Sequence, residues 1–306
     1  MSEAFDIAII GGGPGGYSTA LRAAELGKRV AMIERDATLG GTCLNRGCIP
    51  SKALISATHA IDSIRHAGEL GISATINGID YGTLHDYKKR IVDTMTQGLA
   101  GLLAHRGVTV FRGVASITGA ARPITVHIAA SADGQGVQRS VRSDVPEDIG
   151  PSYDITAQDV VLAMGSAPRQ LPDEPFRGAI IDSTRAMSMA MPHNAVIIGA
   201  GAIAAEFASM WNAAGCKVTM LIRKDRVLSG WDRRAGVTLT RELKRHGIDV
   251  IDRSTVTHID TGVNMGALVH YTSAKDGGST EHIAEGEFVL VAIGRDPLTS
   301  DGWIRD

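Results

Sequence analysis

Two cysteines, Cys43 and Cys48, stand five residues apart in the segment Leu39-Gly40-Gly41-Thr42-Cys43-Leu44-Asn45-Arg46-Gly47-Cys48-Ile49-Pro50-Ser51-Lys52. A disulfide needs Cα atoms within about 7 Å. Residues roughly 1.4 turns apart on a distorted first helical turn meet that limit. A helix N-terminus and a nearby lysine favour thiolate, the reactive form of cysteine. The same pair is compatible with a zinc site, which would want further Cys or His ligands at finger-like spacing, or with two inert core thiols. The third cysteine, Cys216, opens a strand without a partner in sequence and reads as core.

Two glycine loops could hold dinucleotides. The first, Gly11-Gly12-Gly13-Pro14-Gly15-Gly16, fits GxGxxG at Gly11, Gly13 and Gly16. The first glycine makes the tight turn, the second lets backbone approach a pyrophosphate, and the third lets helix and strand pack closely. The helix that follows offers free N–H groups and a positive dipole end to phosphate. Glu34 ends the next strand, where an acid accepts hydrogen bonds from a ribose. The second loop, Gly199-Ala200-Gly201-Ala202-Ile203-Ala204, has Ala in the third place. From Gly11 to Glu34 is 23 residues and from Gly199 to Ile222 is also 23, so the strand–turn–helix–strand unit is duplicated. Ile222 stands where the first unit has its acid, and Arg223 and Lys224 follow. An arginine there accommodates a 2′-phosphate and leans towards NADP, or the two cations form a solvated strand end. Two cysteines beside such a loop in a Cys-poor chain point to redox work.

These residues need elements to position them. The pattern predicts strands over FDIAII and RVAMIE with a helix from Tyr17 to Leu26 between them, then a long helical region from Cys43 to Arg65 and another from Thr83 to His105. Short strands follow to Leu162, with a Ser/Asp/Gly/Pro-rich surface hairpin or long loop at 131–154. After the second unit come a helix (Arg233–His246), a strand (Ile248–Ile251), a small β-meander to about Tyr271 and a late strand, EFVLVAIGR. The fold expected is α/β, with two Rossmann-like three-layer dinucleotide-binding domains: 1–168 with 287–306, and 169–286. Composition agrees: 31 Lys plus Arg balance 33 Asp plus Glu for a net charge of −2, and hydrophobic residues are 44%. That balance argues against a nucleic-acid or membrane-surface binder. Three cysteines and no signal-peptide pattern fit a cytoplasmic protein. The longest apolar run, Ala195 to Ala205, falls short of the roughly 18 residues of a spanning helix.

GGTCLNRGCIPSKAL, with GGGPGG before it and GAGAIAAE after it, resembles the flavin disulfide reductases and most of all dihydrolipoyl dehydrogenases. The resemblance covers the whole chain but about the first two-thirds of a family member. It implies FAD on Gly11, Gly13, Gly16 and Glu34, with Gly41, Thr42 and Lys52 along the cofactor and Gly113 and Ala115 near its adenine. Ala163-Met164-Gly165 takes the place of an Ala-Thr-Gly turn, so Gly165 joins the set without the threonine contact. Cys43 and Cys48 would be the redox disulfide, the first exchanging with a thiol substrate and the second lying against the flavin. Lys52 would support reduced flavin and pair with Glu206, whose apolar setting, AIAAEF, favours burial. Gly199, Gly201, Arg223 and Gly294 would bind NAD, or NADP given Arg223.

The implied activity is oxidation of dihydrolipoamide by NAD+, a part of cell redox homeostasis. The implied partners are the lipoyl group of a 2-oxo-acid dehydrogenase complex or another dithiol, and a second subunit in a homodimer. No resident metal is implied. The family's flavin-contacting Ala-x-x-Gly-Asp turn, its interface domain and its His-Pro…Glu base lie beyond the matched part, and none of the ten histidines falls in that motif. The chain therefore corresponds to an N-terminal portion. Two alternatives stand beside this reading: an NADPH-dependent disulfide or mercuric reductase-like enzyme, favoured by Arg223, and a flavin-binding fragment without turnover.

Overall fold

The computed structural model describes residues 2–118, 121–131, 136–141, 146–263, 266–274, 280–299 and 304–305. It divides into two compact units. One comprises Met1–Pro50, Lys89–Ala167 and Pro297–Asp306; the other comprises Ser51–Lys88 and Pro168–Asp296.

The first unit is built on a sheet whose centre is parallel. Strand Glu3–Ile10 lies between Val30–Glu34 and Ser152–Leu162, and Thr109–Arg112 pairs beyond Val30–Glu34. Antiparallel strands Val114–Thr118 and Ile124–Ala129 extend one side. The central strands are apolar on both faces because both faces are covered. Ile9, Val30 and Met32 pack with Ala20 and Ala23 of helix Pro14–Glu25, while Ala8, Ile10, Ala31 and Ile33 pack with Phe111, Val126 and Ile128. The period of two along each strand produces this division. Gln138–Ser140 and Glu147–Asp148 pair antiparallel, so the polar stretch forms a hairpin where it is described. Its residues 132–135 and 142–145 lie outside the described residues.

The second unit repeats the plan. Asn194–Ile198 lies between Lys217–Ile222 and Phe288–Val291, all parallel, with Asp249–Asp252 and Ile180–Ile181 outside them. Ala195 and Ile197 face helix Ala202–Ala213, whose Phe207, Ala208 and Trp211 fill one core. Val196 and Ile198 face a three-stranded antiparallel meander, Ser254–Val263, Gly266–Ser273 and Glu281–Gly286, through Ile259, Val269 and Ala284.

Several boundaries differ from the sequence reading. The long helical region is two helices, Gly41–Arg46 and Cys48–Arg65, separated by Gly47, whose φ of −141° and ψ of −107° leave the helical region. The first helix begins at Pro14, not Tyr17, because proline suits the first helical position. The meander continues to Gly286. The sequence reading put residues 51–88 and 287–296 with the first domain. Phe288–Val291 instead registers against Ala195–Ile198 in the second sheet. Leu54, Ile55 and Leu84 join the Phe207–Trp211 core, and Arg65 donates to Ala213 O at 2.7 Å. Non-local pairing and packing of this kind leave no periodic trace in the chain.

Trp211 is fully buried and meets Phe207 edge-on at 5.2 Å. Trp211→Ala is expected to cost about 3–5 kcal/mol of unfolding free energy. A denaturant titration checks this, and a loss below about 1 kcal/mol would show that the ring is not a core anchor.

Candidate active site

The first glycine loop closes on backbone. A Cβ on Gly11, whose φ is +105°, would lie 2.2 Å from Ala163 O, and one on Gly16 would lie 1.8 Å from Gly11 O. These two positions therefore demand glycine for the turn and for strand–helix packing. Gly13 differs: its Cβ position meets nothing nearer than Gly41 Cα at 3.7 Å. Gly13 caps helix Pro14–Glu25, whose first amides have no intrahelical acceptor. Glu34 is 7% exposed; Oε2 accepts from Gly12 N–H at 2.7 Å and Oε1 from Asp36 N–H at 2.9 Å. A carboxylate has about four acceptor sites, so room for a ribose hydroxyl remains.

The cysteine segment is fastened to this loop. Gly40 N–H donates to Gly12 O at 2.9 Å, and a Cβ on Gly41 would lie 2.8 Å from Gly13 Cα. Asn45 donates to Leu39 O and Gly41 O, both at 3.1 Å, and accepts from Thr38 Oγ1 at 2.7 Å. Arg46 pairs with Asp36 at 2.6 Å. Gly47 is tight, since a Cβ there would lie 2.9 Å from Thr42 O. Cys43 is half-buried in the short helix; Cys48 is exposed as the first residue of the long one; the two lie near disulfide distance. Asn45, Asp36 and Arg46 were not singled out in the sequence. Their signal, polar and charged side chains among the turn glycines, is one that any turn shows.

The other residues of the first set divide. Gly165, at φ +76°, has open space at its Cβ position and accepts Leu298 N–H at 3.0 Å. At Gly113 a Cβ would lie 2.6 Å from Ala129 O and 2.7 Å from Ile128, so strand packing alone requires a glycine there. Ala115 pairs with Ile128 and packs half-buried on the same core.

In the second unit, a Cβ on Gly199 (φ +138°) would lie 2.3 Å from Ala292 O, whereas Gly201, the cap of helix Ala202–Ala213, faces open space. Crowded turn glycines beside uncrowded ones, each before a helix N-terminus, could hold a dinucleotide pyrophosphate in both units. Ile222 is fully buried, while Arg223 and Lys224 are exposed just beyond the strand. Among the described residues Arg223 has no ion-pair partner. Gly294, at φ +137°, accepts Arg169 N–H at 3.0 Å, and Arg169 is clamped by Asp296 at 2.5 Å. Lys52 Nζ lies 2.6 Å from Glu206 Oε1. The pair is made but not buried, with side chains 58% and 33% exposed. On the helix of Glu206, the neighbours Ala205, Phe207 and Met210 are buried while Glu206 itself is only partly so.

The family model for pyridine nucleotide-disulphide oxidoreductases matches residues 5–302, and the chain belongs to this family. Dihydrolipoyl dehydrogenase of Chlamydia pneumoniae is 33% identical over 314 residues, covering 100% of this chain and 61% of that protein. Dihydrolipoyl dehydrogenase 3 of Pseudomonas aeruginosa is 37% identical over 303 residues, covering 98% and 60%. The crystal structure of LpdA from Mycobacterium tuberculosis superposes with a TM-score of 0.80 at 26% identity, over 98% of this chain and 60% of that one. The chain thus spans about 60% of the length of these relatives. Among the described residues no helix is long and apolar enough to cross a membrane.

Cys216 is set apart from the other two thiols. Burial, then the negative charge of Glu287, push its thiol up to about 12. At pH 8 it therefore stays protonated and enclosed. After reduction, Ellman's reagent is expected to titrate two of the three thiols in the native protein and the third only after unfolding. Three fast thiols in the native protein would contradict the burial of Cys216.

Proposed function

We propose that this chain carries the cofactor- and thiol-handling part of an FAD-dependent dithiol–disulfide oxidoreductase of the dihydrolipoyl dehydrogenase type. The observation that carries the reading is the strap from Gly40 N–H to Gly12 O, 2.9 Å long, which holds the two cysteines against a dinucleotide loop. Gly11, Gly13, Gly16 and Glu34 would hold the FAD pyrophosphate and ribose, with Gly41, Thr42 and Gly165 alongside. Bound flavin supplies two-electron exchange between a thiol pair and a nicotinamide.

The chain's own chemistry is thiol–disulfide exchange. With the pair oxidised, a substrate thiolate attacks Cys43 Sγ. The Cys43–Cys48 bond breaks and Cys48 leaves as thiolate, at a helix start where the dipole favours negative charge. The second substrate thiolate then attacks the substrate sulfur of the mixed disulfide and releases Cys43 thiolate. The substrate loses two electrons and two protons and closes its own disulfide; the cysteine pair gains the electrons, and the protons leave to solvent. Lys52, tethered by Glu206, places a positive charge four residues after Cys48, one helical turn on. A dihydrolipoyl group carried by a 2-oxo-acid dehydrogenase complex is the proposed dithiol, which the names of the relatives support. The whole protein would act as a homodimer in the cytoplasm.

A second reading concerns the coenzyme. Gly199, Gly201 and Gly294 would cradle either nicotinamide dinucleotide. The buried Ile222 offers no acceptor for a ribose 2′-hydroxyl, and exposed Arg223 favours a 2′-phosphate, hence NADPH and a disulfide-reductase direction.

Cys43→Ser is expected to lower dithiol–disulfide exchange by on the order of 10³-fold or more while FAD content stays unchanged. Retention of a tenth of the exchange rate would remove Cys43 from the proposed role. Arg223→Ala is expected to raise KM for NADPH roughly tenfold and leave KM for NADH within twofold, the loss of one charge-assisted pair. Equal effects on both coenzymes would remove Arg223 from recognition of a 2′-phosphate.

A further inference from the structure

The meander carries polar side chains that the proposed redox function leaves unused. Its inner face gives Ile259, Val269 and Ala284 to the core. On the outer face, His258 and His270 stand directly opposite each other on neighbouring strands, their rings stacked at 3.9 Å and 17°. Glu281 comes from the third strand, two residues from the partner of His270 and therefore on the same face. His270 is only 13% exposed. Its Nε2 lies 3.1 Å from Asp260 Oδ2, and its Nδ1 lies 3.4 Å from Glu281 Oε2. That Nδ1 is buried and makes no hydrogen bond. A buried nitrogen left in this state is costly and points to a missing ligand.

We propose that His258, His270 and Glu281 form a binding site for a divalent transition cation of the zinc type. One ligand atom from each of the three lies within 4.8 Å of the others. Two imidazoles and a carboxylate are the donor set that zinc and its neighbours take, rather than magnesium or calcium. Asp260 accepts the Nε2–H of His270, which fixes the tautomer and leaves the Nδ1 lone pair for the metal. This carboxylate–histidine arrangement recurs behind metal-bound imidazoles. Thr257 Oγ1 donates to Glu281 Oε1 at 3.3 Å and leaves Oε2 for the cation. Tetrahedral ligands at roughly 2.0–2.1 Å from zinc stand closer together than 4.8 Å, so the cluster must contract. The half-exposed side chains of His258 and Glu281, 49% and 52%, are free to close on the enclosed His270, and the imidazole stack opens as they do. Each of the three strands gives one ligand. A bound cation therefore ties the meander together and stabilises the native state by mass action.

The test is calorimetric titration of the chain with zinc chloride, on a Cys43→Ser, Cys48→Ser background so that thiolates do not compete. One saturable equivalent is expected, lost in His270→Ala and in Glu281→Gln, the latter a change on a half-exposed side chain that leaves the core untouched. Asp260→Asn is expected to weaken binding 10–100-fold while the melting temperature without zinc stays the same. Cobalt(II) on the same background is expected to give tetrahedral d–d bands with no thiolate charge transfer. Absence of saturable heat would overturn the site and leave His270 held between the Asp260 and Glu281 carboxylates alone. Binding that survives both His270→Ala and Glu281→Gln would overturn it equally.

Discussion

The strand-to-helix turn of each unit depends on backbone standing where a side chain would otherwise be. At Gly16 the missing Cβ is replaced by Gly11 O, 1.8 Å from where the carbon would sit, and at Gly11 by Ala163 O at 2.2 Å. Gly199 meets Ala292 O in the same way at 2.3 Å. No L-residue fits such contacts, and the positive φ at Gly11 and Gly199 adds backbone strain to the steric one. Because the chain turns so sharply, the helix starts at the carboxyl ends of the parallel strands with its amides clear. The two units differ at one point: where the first needs Gly16, the second accommodates buried Ala204. The constraint at the turn is shared, while the helix–strand approach is closer in the first unit.

The thiol pair depends on that first turn. Gly40 donates to Gly12, and Gly41 lies on Gly13 at a distance that excludes a side chain. Glu34 adds a second function to the one expected from its place. Besides the ribose contact proposed for it, its carboxylate ties Gly12 N–H to Asp36 N–H. Asp36 then pairs with Arg46, between the cysteines. Thus one continuous set of hydrogen bonds runs from the acid at the strand end, through the glycine loop, to the cysteine segment. A change in Glu34 would loosen the thiols as well as any bound ribose.

Much of this was legible in the chain because it is written locally. The duplicated spacing of 23 residues, the glycine positions and the cysteine pair are all short-range patterns. The helix break at Gly47 was not, since the flanking apolar pattern continues through it and only the packing against Thr42 O requires glycine. The membership of 51–88 and of Phe288–Val291 was hidden because both are decided by partners more than 90 residues away. Lys52 and Glu206, 154 residues apart, could be paired only through the resemblance, and their exposure runs against the apolar run that suggested burial. Gly113 shows the opposite limit: a glycine at a suggestive place whose requirement is a neighbouring strand.

On the proposed function, the first glycine loop and the cysteine segment act as one redox centre. The most direct measurement is the absorption spectrum of the purified chain with FAD, recorded anaerobically before and after addition of one equivalent of reduced nicotinamide coenzyme. Stoichiometric bound flavin is expected and, on two-electron reduction, a long-wavelength thiolate charge-transfer band that disappears in Cys48→Ser. Flavin that binds and bleaches with no such band would contradict it, showing that the thiols and the cofactor loop do not share a site.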